Sequence, residues 1–260
     1  RSFLAAAGSY LIAGGLGMYH WLRVRGTSIA AALLGMGLFM AMPKLAAHYA
    51  AGHISMVYAV SLTPWLLWST VKFRNQSFSD RKMWINGVIL GGMILADIRW
   101  ALFAGIFWVF YDLGLGWSDH VGFMRWVTGA LKRTGATFLT SGVVAAPFLL
   151  LLFQYTRLTT RSGLTPGENM AFSLPMEKLL GILVPDFLGY AEWVLYPGAM
   201  AVLCLVYGMV VGPVRKRVWP WVLVAILCVI YALGAAVPGL SELAKIPGLN
   251  LLRVPARGLF

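Results

Sequence analysis

The sequence predicts an all-α fold, a polytopic transmembrane helical bundle of about eight spans, and three observations carry that prediction. Of 260 residues, 60% are hydrophobic and only 12% charged, with eleven Trp and twelve Met; a water-soluble domain of this size could not cover so much apolar surface. Uncharged stretches run over 2–22, 26–43, 45–71, 134–156, 193–214 and 218–241, each near or above the roughly 18 to 20 residues that cross a hydrocarbon core of about 30 Å. The net charge of +12 lies in short basic clusters between apolar spans, a pattern of topology signals with no basic face for nucleic acid.

The spans are expected near 3–22, 28–43, 54–72, 83–97, 99–116, 134–156, 194–212 and 218–237, within one transmembrane domain. All are expected to be helical, because a backbone in lipid must satisfy its polar groups within its own segment. Residues 83–111 as one helix would measure about 43 Å and would carry Asp97 and Arg99 to its centre, where each costs roughly 2.5 to 3.5 kcal/mol. On a helix, positions i and i+2 face apart, so a turn at Ala96–Arg99 is expected instead. Eight crossings then place the basic clusters at 23–25, 72–82, 125–133 and 215–217 on one side, cytoplasmic by the positive-inside rule. Both ends, and the loop 157–193, face outward.

Two connections are expected to be structured. SDHVGFMRWVTGALKR (118–133) sets apolar residues at near-helical spacing with its cations elsewhere, as suits a helix on the cytoplasmic surface. The outer loop 157–193 contains TPGE (165–168), a capping-box pattern, and then the short apolar segment MEKLLGILV. Cys204 and Cys228 lie inside apolar spans and read as packing residues. GVILG (87–91) and GMVVG (208–212) read as small-residue faces that let helices approach closely. Arg at position 1 and the terminal RGLF read as the ends of an internal fragment, with no signal peptide to assign.

Four polar groups fall on the outer side. Lys44, His48 and His53 lie between the second and third spans; they suit interfacial anchors or an anionic head group, and with no acid nearby a metal site is not assigned. Asp97 and Arg99 either cap a turn or line an outward cavity, Arg99 holding a phosphate and Asp97 orienting Arg99 or a hydroxyl. Asp186, Tyr190 and Glu192 precede the seventh span, the two carboxylates being acid and base candidates and the neighbouring Trp193 and Tyr196 an aromatic belt. Arg253 and Arg257 flank Pro255, as snorkelling anchors or as a phosphate clamp.

AGHISMVYAVSLTPW (51–65), ADIRWALFAG (96–105), VPDFLGYAEWVLYPG (184–198) and ALGAAVPGLSELAKIPGLNLLRVPARGLF (232–260) occur in an order that resembles the YfhO-like bacterial membrane proteins. These belong to the GT-C type polytopic glycosyltransferase superfamily. The resemblance implies an enzyme of the bacterial cytoplasmic membrane that moves a sugar from a polyprenyl-phosphate carrier to a cell-envelope glycopolymer or lipid on the outer face. It also implies a catalytic acid, serving as base or as ligand to a divalent cation, in an external loop upstream of residue 1. Such transfer needs cations for the departing phosphate, for which Lys44, Arg99, Arg253 and Arg257 are the candidates, and a base for the acceptor hydroxyl, for which Asp97 and Glu192 stand in. His48, His53, Asp186 and Tyr190 are further outer-face candidates. The alternatives are a transporter or flippase of a lipid-linked sugar, which would place polar residues through the midplane, and a non-catalytic scaffold.

Overall fold

The computed structural model describes residues 2–74, 80–118, 122–158, 168, 170–185, 190–245 and 254–260. Every regular element among them is helical. The α-helices are α1 (Ser2–Val24), α2 (Ile29–Met40), α3 (Pro43–Ala50), α4 (Ile54–Phe73), α5 (Ile85–Ala96), α6 (Ile98–Ser118), α7 (Phe123–Arg157), α8 (Ala199–Val210) and α9 (Gly212–Leu233), joined in places by short 3₁₀ turns. Among the described residues, five stretches are long and apolar enough to cross a membrane: Ile29–Ala50, Ile54–Phe73, Ile98–Leu115, Phe123–Tyr155 and Val218–Ala236. α5 and α8, with 12 residues each, measure about 18 Å, well short of a hydrocarbon core.

The chain divides into two compact units, Arg1–Met40 with Ile54–Ser162 and Ala41–His53 with Gly163–Phe260. In the first, α1 packs on α2 and α4, and α5 packs on α4 and α7. Small residues set these distances. A Cβ at Gly87 would meet Thr140 Cβ at 2.4 Å, and one at Gly91 would meet Val144 Cβ at 2.7 Å, so the GVILG face is where α5 and α7 touch. In GMVVG only Gly208 has such a neighbour, Val218 at 2.9 Å, while Gly212 has none within 4 Å.

Indole N–H groups tie helices of this unit together, each finding an acceptor in another helix. Trp65 donates to Ala13 O (2.8 Å), Trp100 to Thr63 Oγ1 (2.9 Å), Trp108 to Thr70 Oγ1 (2.7 Å) and Trp21 to Tyr111 Oη (2.9 Å). At one end of this unit the buried Asp112 carboxylate accepts from Arg133 Nε at 3.0 Å and also pairs with Arg74. Three segments expected on one membrane side thus meet at one carboxylate.

The turn expected at 96–99 is present. α5 ends at Ala96, Asp97 is extended (φ −153°, ψ 103°) and α6 starts at Ile98; residues 83–111 are not one helix. A Cβ on Gly105 of α6 would lie 3.9 Å from Leu90 of α5, so the chain folds back on itself there.

Three expected boundaries are corrected. The surface helix over 118–133 and the span over 134–156 form one 35-residue helix, α7, because neither a Pro nor a capping pattern separates Arg133 from Thr134. At about 52 Å it is far longer than a hydrocarbon core. The seventh expected span, α8, begins at Ala199 rather than 194, since Pro197 cannot supply an N–H and Gly198 takes φ 97°. The RKR stretch 215–217 lies in the first turns of α9 rather than in a loop, α9 opening with Pro near its N-terminus after the single extended residue Val211. TPGE lies mostly outside the described residues, and MEKLLGI forms the 3₁₀ turn Met176–Ile182.

Gly87→Ala is expected to destabilise the protein by about 1 to 3 kcal/mol through overpacking against α7. Gly135→Ala, with nothing within 4 Å of its Cβ, is expected to be neutral or slightly stabilising. Thermal unfolding in detergent separates the two.

Candidate functional site

In the second unit, a local motif builds the first part of the site. α3 begins with Pro43 in its first turn and buries Lys44, Leu45 and His48, residues that lie on one face of a helix. Its C-cap, Ala51, is followed by Gly52, whose φ of 79° suits only glycine comfortably. The Gly52 N–H donates to Tyr49 O (3.0 Å) and the His53 N–H to His48 O (2.9 Å), the paired bonds of a Schellman motif. That motif brings the residue after the glycine back onto the helix's last turn, and here those two residues are His53 and His48. Their Nδ1 atoms lie 2.9 Å apart, one ring donating to the other.

The second part comes from two short 3₁₀ turns. Ala191–Trp193 carries Glu192 and Pro255–Leu259 carries Arg257. Each turn is anchored in the unit's apolar core, where Trp193 and Leu259 pack against Leu174, Ala232 and Leu233. Val254, just before Pro255, adopts φ 57° and ψ 75°, a costly conformation for a β-branched residue that the turn beneath Arg257 sustains.

These pieces converge on one carboxylate. Arg257 donates to Glu192 Oε1 through Nε (3.1 Å) and Nη2 (2.8 Å). Lys44 Nζ donates to the carbonyls of Glu192 (2.9 Å) and Val194 (3.3 Å) and lies 5.1 Å from the Phe260 ring centre. His48 packs on the same ring, centroid to centroid 4.8 Å, and points Nε2 at Glu192 Oε2 from 3.7 Å. Lys44, His48, Glu192 and Arg257 are all buried. Neither His48 Nε2 nor Glu192 Oε2 has a hydrogen-bond partner. Tyr190 stacks near Phe172 and Trp193; partial burial raises its phenol above the ordinary value, Glu192 adds to the rise and Arg257 opposes it.

In the first unit, Asp97 caps α6. Its Oδ1 accepts from the backbone N–H of Arg99 (3.0 Å) and Trp100 (3.4 Å), the N-cap pattern. Arg99 wraps back, with Nε on Oδ1 at 2.9 Å and Nη2 on Oδ2, and Ser55 Oγ approaches Oδ2 at 3.5 Å. The break in the helix is what lets residues two apart pair. Asp97 is buried, whereas the Arg99 side chain is 47% exposed.

Of the residues proposed from sequence, Lys44, His48, His53, Glu192 and Arg257 come together in one unit. Asp97 and Arg99 form a pair in the other. Asp186 and Arg253 lie outside the described residues. Sequence reasoning did not single out Phe260, which closes one side of the cluster, or Asp112 with Arg74 and Arg133. No family model, curated protein or solved structure matches the chain.

Arg257→Met is expected to lower stability by about 3 to 5 kcal/mol, because it leaves the Glu192 carboxylate buried without its cation. Adding Glu192→Gln to that variant is expected to restore a large part of the loss, read as non-additivity in a double-mutant cycle of thermal unfolding.

Proposed function

We propose that this chain belongs to a multi-pass membrane glycosyltransferase of GT-C type, which transfers a sugar from a polyprenyl-phosphate carrier to a cell-envelope acceptor. In this reading the chain makes about eight crossings, α5 and α8 being short ones, and the Glu192 cluster faces outward. The observation that carries the proposal is the convergence of Lys44, His48, His53, Glu192 and Arg257, drawn from three distant segments, around a carboxylate with one oxygen held by a guanidinium and the other bare.

The chemistry suits such a cluster. Taking a proton from an acceptor hydroxyl needs a fixed, desolvated basic group, and the Glu192–His48 pair is one. In the other unit the half-exposed Arg99, oriented by the N-cap carboxylate Asp97, is a separate candidate for holding an anionic group of a substrate. Lys44 and Arg257 are committed to protein acceptors and hold the cluster together.

The transporter reading receives less support. Buried hydroxyls in the first unit bond to carbonyls of their own helix, as Ser61 does to Val57 O (2.8 Å), Thr70 to Leu66 O (2.6 Å) and Ser141 to Phe138 O (3.0 Å). Such groups brace helices rather than line a path.

Per mole of folded protein, Glu192→Gln is expected to reduce sugar transfer at least about 100-fold, and Arg99→Ala to reduce it by about 10-fold or more, measured with a polyprenyl-phosphate sugar donor in membranes. Unchanged turnover in both would overturn the assignment. A cysteine placed at Glu177 is expected to react with an impermeant thiol reagent from outside; reaction only from the cytoplasm contradicts the orientation.

A further inference from the structure

Two buried polar atoms in the second unit face one another with nothing between them to bond. Glu192 Oε2 and His48 Nε2 each lack a hydrogen-bond partner, and they stand 3.7 Å apart, too far for a hydrogen bond. Leaving either group buried and unsatisfied is costly. Two ligands on one tetrahedral zinc, with metal bonds of about 2.0 to 2.2 Å, lie about 3.4 Å apart, so the gap has close to the width an ion requires. His53 completes the set: ligand atoms of His48, His53 and Glu192 all lie within 4.8 Å of one another.

We infer that His48, His53 and Glu192 bind a divalent transition-metal ion of the zinc type. Two imidazoles and one carboxylate select a borderline ion such as zinc, cobalt or nickel over calcium or magnesium, which take oxygen ligands. Three protein ligands leave a fourth position for water or a substrate oxygen, the pattern of reactive rather than purely structural sites.

The surroundings supply what such a site requires. Arg257 grips Oε1 alone, which orients the carboxylate and leaves Oε2 to the metal, as an outer-shell partner does. Lys44 is turned toward the carbonyls of Glu192 and Val194. The Schellman turn at Gly52 fixes His53 against His48, so two ligands are set by local backbone geometry before the third arrives. A bound cation would lower the pKa of the oxygen it holds, in keeping with a cluster that deprotonates a hydroxyl, but the inference does not rest on the transferase reading.

The test uses the full chain in detergent, stripped with a chelator and titrated with Co(II), which reports tetrahedral coordination by visible absorption, and with Zn(II) in competition. About one equivalent should bind, with an intense tetrahedral cobalt band. Glu192→Gln, which keeps the side chain's shape and an acceptor for Arg257, and His48→Ala should each weaken binding by about 100-fold or more, at least as much as an outer-shell change would. His20→Ala, in α1, should bind as the parent does. Absence of the cobalt band in the parent, or equal binding in Glu192→Gln and the parent, overturns the inference and leaves a metal-free histidine–carboxylate pair. Should His48→Ala fail to fold, the parent spectrum and Glu192→Gln still decide.

Discussion

An apolar solvent offers a chain no hydrogen bonds, so each polar group in this protein must find its partner within the chain. The helices follow from that requirement, and so do the contacts between them. Trp65, Trp100, Trp108 and Trp21 each turn an indole N–H toward an oxygen of another helix, and where Gly87 and Gly91 remove side chains, α5 and α7 approach until their backbones nearly touch. Charges obey the same rule: Asp112 is surrounded by Arg74 and Arg133, Asp97 by Arg99 and two backbone N–H groups, Glu192 by Arg257.

The exception gives the second unit its chemical interest. A bidentate guanidinium satisfies one oxygen of Glu192, and the backbone turn at Gly52 satisfies the last carbonyls of α3, yet Oε2 and His48 Nε2 remain bare. Both sit on elements fixed from behind, Glu192 through Trp193 in the core and His48 through the buried face of α3. A gap held open by rigid supports, rather than closed by a rotamer change, is what a preorganised site needs.

Much of the helical framework was legible in the sequence, because runs free of charge announce helices and the pair Asp97–Arg99 could not sit inside one. Asp97 even displays its role in the letters ADIRW, as an N-cap residue placed directly before a new helix. Where expectation failed, the cause was local: nothing between Arg133 and Thr134 ends a helix, Pro197-Gly198 delays α8, and Pro213 lets α9 begin early enough to absorb 215–217. The site was half legible. HYAAGH encodes a helix, a left-handed glycine and a histidine returning to a histidine, a geometry readable from Schellman chemistry. The acid that completes the pair comes from Glu192, far along the chain, and no periodicity or spacing records such a meeting. For that reason the histidines carried no metal assignment from sequence.

α3 and the turn bearing Glu192 lie against one another, and the cluster exists only through that contact. Cysteines placed at Lys44 and Val194, in a chain from which Cys204 and Cys228 have been removed, test it with a short bifunctional thiol reagent in native membranes. The expected result is an intramolecular cross-link that holds the two halves together after the intervening chain is cleaved. Two cysteines that each react singly yet never join would contradict it.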